Sequence, residues 1–145
     1  MKRRLILLVE DNINEEYLAV RALKKSNLGS EIIVVRDGVE ALDFLFCMNH
    51  YADRSRLEMP ELILLDLKLQ KMDGLEVLRR LRADERTRQL PIVVLSSSDE
   101  VGDIAESYKY GANSFVRKPV DFDQFMENVK QIGQYWLTLN EAPPK

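Results

Sequence analysis

Asp66 closes a short, almost wholly apolar run, Glu61-Leu62-Ile63-Leu64-Leu65-Asp66. Bounded by Pro60 and by a turn signal at Met72-Asp73-Gly74, the run reads as a strand buried on both faces, as in a parallel sheet. A carboxylate at the C-terminal end of such a strand sits where open α/β sheets bind ligands. Alone, Asp66 need be no more than a strand end facing water. It gains weight because other apolar runs end in comparable chemistry. Leu5 to Val9 runs into Glu10-Asp11, Pro91 to Leu95 into Ser96-Ser97-Ser98, and Asn113 to Arg117 into Lys118-Pro119. If these strands are parallel, one edge of the sheet collects the carboxylates of Glu10, Asp11 and Asp66, the Ser96 hydroxyl and the Lys118 ammonium. Three carboxylates packed together repel and cannot all ionise cheaply. A hard divalent cation relieves this, and Mg²⁺ suits a site with one or two carboxylates and retained waters. A phosphoryl group fits the remaining space, its charge met by Mg²⁺ and Lys118 and its oxygens by Ser96 and backbone N–H groups. Each residue has a plainer role on its own: helix cap, turn residue or solvated lysine. Their joint occurrence at the ends of four strands favours a Mg²⁺ site around a phosphorylatable aspartate.

The elements that must position these groups alternate. After the first strand, Asn12 offers a helix N-cap with Glu15 as its capping-box partner, and a helix runs to about Lys25 with Leu18, Ala19, Ala22 and Leu23 facing the sheet. Glu31 to Val35 is a β-branched strand. Asp37-Gly38 turns into a helix bearing Val39, Ala41, Leu42, Leu45 and Phe46. Asn49 to Met59 is a long polar connection, read as a solvated surface loop. Asp73-Gly74 starts a helix with Leu75, Val77, Leu78 and Leu81. Ser98 or Asp99 caps a helix to Tyr110, with Gly111 as its C′ residue. Asp121 caps the last helix, where Phe122, Phe125, Val129, Ile132 and Trp136 recur at helical spacing. Five β-α units predict a parallel sheet with helices on both faces, and right-handed crossovers place every strand's C-terminal end on one edge.

The 145 residues suit one domain. A formal net charge of -3 gives no electrostatic reason for nucleic-acid binding. The single cysteine, Cys47, cannot form an internal disulfide and is expected at a buried or half-buried helix position. A reducing, cytoplasmic setting follows. The N-terminal apolar run is too short for a signal peptide, no segment approaches a membrane span, and a lone His50 offers no metal cluster.

The sequence resembles the receiver domain of two-component response regulators. The matching pieces are Leu8-Val9-Glu10-Asp11-Asn12, Asp37-Gly38, Leu64-Leu65-Asp66-Leu67, Met72-Asp73-Gly74, Leu95-Ser96-Ser97, Gly111-Ala112 and Lys118-Pro119. The resemblance implies a flavodoxin-like, doubly wound α/β fold, a five-stranded parallel sheet in the order 2-1-3-4-5. It implies a receiver domain over residues 1–138 and a short tail over 139–145. It implies that Asp66 accepts a phosphoryl group from a histidine kinase or phosphotransfer protein. Asp11, Asp66, Glu10 and the Lys68 backbone carbonyl would hold Mg²⁺. Lys118 would be the phosphate partner, through a cis Lys118-Pro119 bond, with Ser96 and Phe115 as the switch pair. Lys68 and Ser98 would tune phosphoryl lifetime. Gln70 stands where the family often has Pro, and Glu10 where it often has Asp. The long loop from Asn49, the Leu64 to Leu67 run and Tyr135-Trp136-Leu137 are similar to the stand-alone receivers that partner bacterial phytochromes, although Trp136 reads equally well as a core-capping aromatic. Helix four, strand five and helix five are the surface through which many receivers dimerise.

Other functions fit less well. An aspartyl-phosphate hydrolase of this topology needs a second carboxylate two residues after the nucleophile, where Lys68 stands. A flavin carrier needs a small-residue phosphate loop after strand one, where Glu10-Asp11-Asn12 stands. A receiver-like scaffold that is never phosphorylated would not need all five side chains. The expectation is a signalling protein rather than an enzyme, with no output domain after the last helix, acting through protein contact.

Overall fold

The computed structural model describes residues 4–98 and 100–144. Five strands, β1 (Arg4–Val9), β2 (Ser30–Val35), β3 (Leu62–Leu65), β4 (Ile92–Ser96) and β5 (Ser114–Arg117), alternate with helices α1 (Ile13–Lys25), α2 (Gly38–Leu45), α3 (Gly74–Ala83), α4 (Val101–Lys109) and α5 (Phe122–Gln134). The strands form one parallel sheet in the order β2-β1-β3-β4-β5. The parallel sheet is the one the alternation predicts, and its strand order is the one the resemblance implies. All four residues of β3 are buried, as are all five of β4. That explains why these strands read as continuous apolar runs rather than alternating ones.

Side chains along each strand divide between two cores with a period of two. Leu7, Val9, Ile63, Leu65, Ile92 and Val94 face α2 and α3, meeting Ala41, Leu45, Val77, Leu78 and Leu81. Ile6, Leu8, Leu62, Leu64, Val93 and Leu95 face α1 and α5, meeting Ala19, Ala22, Leu23, Phe125 and Val129. The stripe predicted on α1 is the buried one, with Leu18 at its half-buried margin.

Helix starts follow local chemistry. The side chains of Asn12, Asp37, Asp73 and Asp121 each accept a backbone N–H of the first turn they cap. Gly111, at φ +104°, ends α4 in the left-handed region that glycine tolerates.

Away from the strand-end edge, the structure differs from the sequence reading in four places. Helix α4 is entered at Glu100 with no side-chain cap. The Ser98 hydroxyl accepts the Glu100 N–H and donates to Asp103 on the helix instead, while Asp99 lies outside the described residues. Cys47 is buried but lies past the end of α2, at φ +54°. Its N–H donates to the Phe44 carbonyl and that of Met48 to Asp43, the paired bonds of a Schellman turn that more often carries glycine. The 49–59 connection is anchored rather than merely solvated. It opens with a 3₁₀ turn at Asn49–Tyr51. The Tyr51 hydroxyl donates to Glu40 at 2.6 Å, and burial together with that bond pushes it up to about 12. The Arg54 guanidinium stacks over the Phe44 ring at 3.8 Å and donates to the Phe44 carbonyl. Finally, the last helix continues through a π-helical turn at Tyr135–Leu139, burying Leu137. Among the described residues no helix is long and apolar enough to cross a membrane.

Candidate functional site

Strand register brings the chemistry to one edge. Val9 pairs with Leu65, so Glu10 and Asp66 leave the sheet side by side. Ser96 pairs with Arg117, which places Lys118 immediately beyond. The Lys118 N–H donates to the Ser96 carbonyl at 2.8 Å and fixes that exit.

Glu10, Asp66, Ser96 and Lys118 are buried there. Lys118 Nζ donates to Glu10 Oε1 at 3.0 Å, to Asp66 Oδ2 at 3.0 Å and to Glu15 Oε2 at 3.1 Å. One ammonium therefore faces three carboxylates. Burial pulls the Lys118 ammonium down, but the charges of Asp66 and Glu10 and their hydrogen bonds outweigh it and hold Lys118 above its ordinary value. Burial is the main cause that pushes the Glu10 carboxyl up to about 7; the Lys118 charge opposes it and the Asp66 charge adds to it. The second Asp66 oxygen, Oδ1, accepts the Lys68 N–H at 3.2 Å.

The loop after Asp66 is held by backbone rather than by proline. The Gly74 N–H donates to the Leu67 carbonyl at 2.9 Å, and the Gln70 carbonyl accepts Met72 N–H at 2.7 Å and Gly38 N–H at 3.4 Å. A Cβ on Gly74 would stand 2.3 Å from the Asp66 carbonyl oxygen, so only glycine lets α3 start this close to the strand end.

The structure brings together four of the predicted residues, Glu10, Asp66, Lys118 and Ser96, at the ends of β1, β3, β5 and β4. The Ser96 hydroxyl accepts the Ser98 N–H at 3.2 Å. Asp11 is exposed and lines a cleft of ≈ 400 Å³ with Lys68, Gln70, Asp73 and Asp103. Phe115 is half-buried against the core under α2 and α3, and its N–H donates to the Tyr108 hydroxyl at 3.1 Å. The Lys118–Pro119 bond is trans, not cis as expected. The trans isomer is the lower-energy form of an X–Pro bond, and it already lets the ammonium reach its carboxylates.

Sequence reading missed Glu15. Its carboxylate joins those of Glu10 and Asp66 in a group in which one oxygen from each residue lies within 4.8 Å of the others. The available signal was its place in the first turn of α1, four residues after Asp11, where the helix leaves the strand-end edge. The oxygens of Glu10 and Asp66 fit a hard divalent cation, and the three carboxylates together carry more negative charge than Lys118 offsets.

Comparison with known proteins agrees with this geometry. The model of the response regulator receiver domain family matches residues 6–130. The chain is 39% identical over 139 residues to the probable methanogenesis regulatory protein FilR2 of Methanothrix harundinacea, covering 96% of this chain and 87% of that one. It is 36% identical over 140 residues to the response regulator Rcp1 of Synechocystis sp., covering 97% and 93%. The Mn²⁺-bound structure of Rcp1 superposes with a TM-score of 0.90 at 35% identity, over 97% and 99% of the two chains. The phosphorylated cyanobacterial phytochrome response regulator RcpA superposes with a TM-score of 0.91 at 39% identity, over 98% and 99%. The chain belongs to the response regulator receiver domain family.

Proposed function

We propose that this receiver accepts a phosphoryl group on Asp66 from a phosphohistidine of a sensor histidine kinase or phosphotransfer protein. The observation that carries this reading is the buried Asp66 carboxylate at the end of the central strand, bonded at 3.0 Å to the Lys118 ammonium. An Asp66 oxygen attacks phosphorus; the P–O bond forms as the P–N bond breaks, and the electron pair stays on the imidazole nitrogen. Lys118 meets the charge arriving on the phosphoryl oxygens, and the Lys68 N–H orients the acceptor carboxylate. Asp11, Glu10, Asp66 and the Lys68 carbonyl would hold Mg²⁺, which when bound supplies charge neutralisation at the phosphoryl group. The resemblance to Mn²⁺-bound Rcp1 supports a divalent ion here.

Ser96 and Phe115 form the switch. The Ser96 hydroxyl turns from the Ser98 N–H toward the phosphoryl group, and the half-buried Phe115 ring moves inward behind it, biasing a two-state element by a local charge change. Slow hydrolysis of the acyl phosphate resets the protein, so its chemistry is signalling rather than turnover of a substrate. Output passes through protein contact in the cytoplasm. The similarity to Rcp1 and RcpA favours a phytochrome-type kinase as the partner. The exposed Val101, Tyr108 and Phe122 favour α4, β5 and α5 as the face for a downstream protein or a second copy.

The test is intact mass after incubation with acetyl phosphate and Mg²⁺, wild type beside Asp66→Asn. A phosphoryl mass gain in wild type alone is expected. Gain in both variants, or in neither with acetyl phosphate and with a histidine kinase, would contradict the reading.

A further inference from the structure

The capping box expected at the start of α1 is only half made. Asn12 Oδ1 accepts the Glu15 N–H at 3.0 Å, as it should. The return bond, from the Asn12 N–H to the Glu15 carboxylate, is replaced by one to Glu10 Oε2 at 3.1 Å. Released from the cap, Glu15 reaches across to Lys118, a residue 103 positions away in the chain. An ammonium has three N–H donors, and here each has a carboxylate: Glu10, Asp66 and Glu15. The donor set is full before any phosphoryl group arrives.

The three partners are not equivalent. The side chains of Glu10 and Asp66 are 4% and 8% exposed, whereas that of Glu15 is 31% exposed. Glu15 is thus the partner that water can most readily take over. The adjacent Glu16 provides a contrast in the same helical turn, because its carboxylate pairs with Arg36 at 3.1 Å and does not touch the site.

We propose that Glu15 is a positioning residue that holds the Lys118 ammonium from the α1 side in the unphosphorylated protein and must release it to the phosphoryl group. The proposal rests on Asp66 as phosphoacceptor. Glu15 acts through Lys118 and touches neither the reacting atoms nor the donor. Its charge also opposes the entry of an anion into a site already rich in carboxylates. Removing that charge therefore weakens one of the three bonds that hold the ammonium and lowers the repulsion at once, and phosphoryl binding tightens.

The experiment compares full-length wild type, Glu15→Gln and Glu16→Gln. Beryllofluoride, a non-covalent phosphoryl mimic, is titrated at saturating Mg²⁺ and its bound signal read by ¹⁹F NMR. Mg²⁺ affinity is measured separately by calorimetry. Both variants lose one charge from the N-terminal turn of α1, so a general helix effect moves them together. Glu15→Gln is expected to bind beryllofluoride tighter by roughly three- to tenfold, and Glu16→Gln to stay within about twofold of wild type. Unchanged or weaker binding in Glu15→Gln, or an equal gain in Glu16→Gln, would overturn the role of Glu15 while leaving Asp66 in place. Weakened Mg²⁺ binding in Glu15→Gln without a gain for beryllofluoride would make Glu15 a metal-side carboxylate and also overturn it. Failure of wild type to bind beryllofluoride would remove the Asp66 reading itself, and the role of Glu15 with it.

Discussion

Replacing Lys118 by methionine removes the one cation that three carboxylates share at the end of the sheet. Methionine keeps the unbranched apolar stem of the side chain up to the ammonium position, so the change is mainly one of charge. Breaking a buried ion pair leaves the partner charge uncompensated and costs about 3–5 kcal/mol. Here two buried carboxylates, Glu10 and Asp66, lose the same partner. Proton uptake limits the loss, because the folded chain relieves the repulsion by protonating a carboxyl. The sign of the pH dependence follows. Glu10 already sits at about 7 in the folded protein against 4.5 for the ordinary group. Between those values the folded chain holds a proton that the unfolded chain has lost, so stability is full below pH 4.5 and is lost as pH rises through 7. For wild type without divalent ions that shift corresponds to about 3 kcal/mol. Without Lys118 the same carboxyl is pushed higher still, so the decline extends above neutral pH. Urea unfolding followed by far-UV circular dichroism, with chelator present, should show Lys118→Met about 3–4 kcal/mol less stable than wild type at pH 8, with the gap narrowing to about 1 kcal/mol at pH 5. A variant as stable as wild type at pH 8, or a gap independent of pH, would refute the view that Lys118 is what makes this carboxylate cluster tolerable.

Three further outcomes follow from the same geometry. Mg²⁺ at tenfold its dissociation constant should stabilise the protein by about 1.4 kcal/mol; because protons compete for Glu10, the thermal shift should be larger at pH 8 than at pH 5, and equal shifts would place the ion away from Glu10. Gly74→Ala should cost about 2 kcal/mol or more and impair phosphorylation, since the added Cβ meets the Asp66 carbonyl at 2.3 Å; chemical denaturation and phosphoryl incorporation measured together would show whether the two losses coincide. Lys68→Ala, whose side chain is exposed while its backbone N–H serves Asp66, should change the phosphoryl lifetime more than Mg²⁺ affinity; equal changes in both would make its side chain part of the metal site.

What the sequence makes legible here is what is local. The runs at Leu5, Glu61 and Pro91 announce buried parallel strands because both of their faces must be apolar. Asn12 and Asp121 announce helix starts because an N-cap is settled within three residues. The polar residues at the strand ends are found in the same way, since alternation dictates that they share an edge. The features that escape depend on distant partners. Glu15 has the spacing of a capping-box acid and only a residue 103 positions away redirects it. The loop from Asn49 looks solvated, yet Glu40 and Phe44 capture Tyr51 and Arg54. Cys47 has a helical pattern behind it, but the chain leaves α2 just before it in a left-handed turn, a conformation that an apolar pattern does not encode.

The central claim is that Asp66 carries the phosphoryl group, and trapping the modified residue tests it most directly. Protein incubated with acetyl phosphate and Mg²⁺ is reduced with borohydride, which converts an aspartyl phosphate to homoserine, and the peptides are sequenced by mass spectrometry. Homoserine at position 66 alone is the predicted result. Homoserine at position 11 or at another aspartate, or the reduced alcohol of a glutamate, with Asp66 intact, would contradict it.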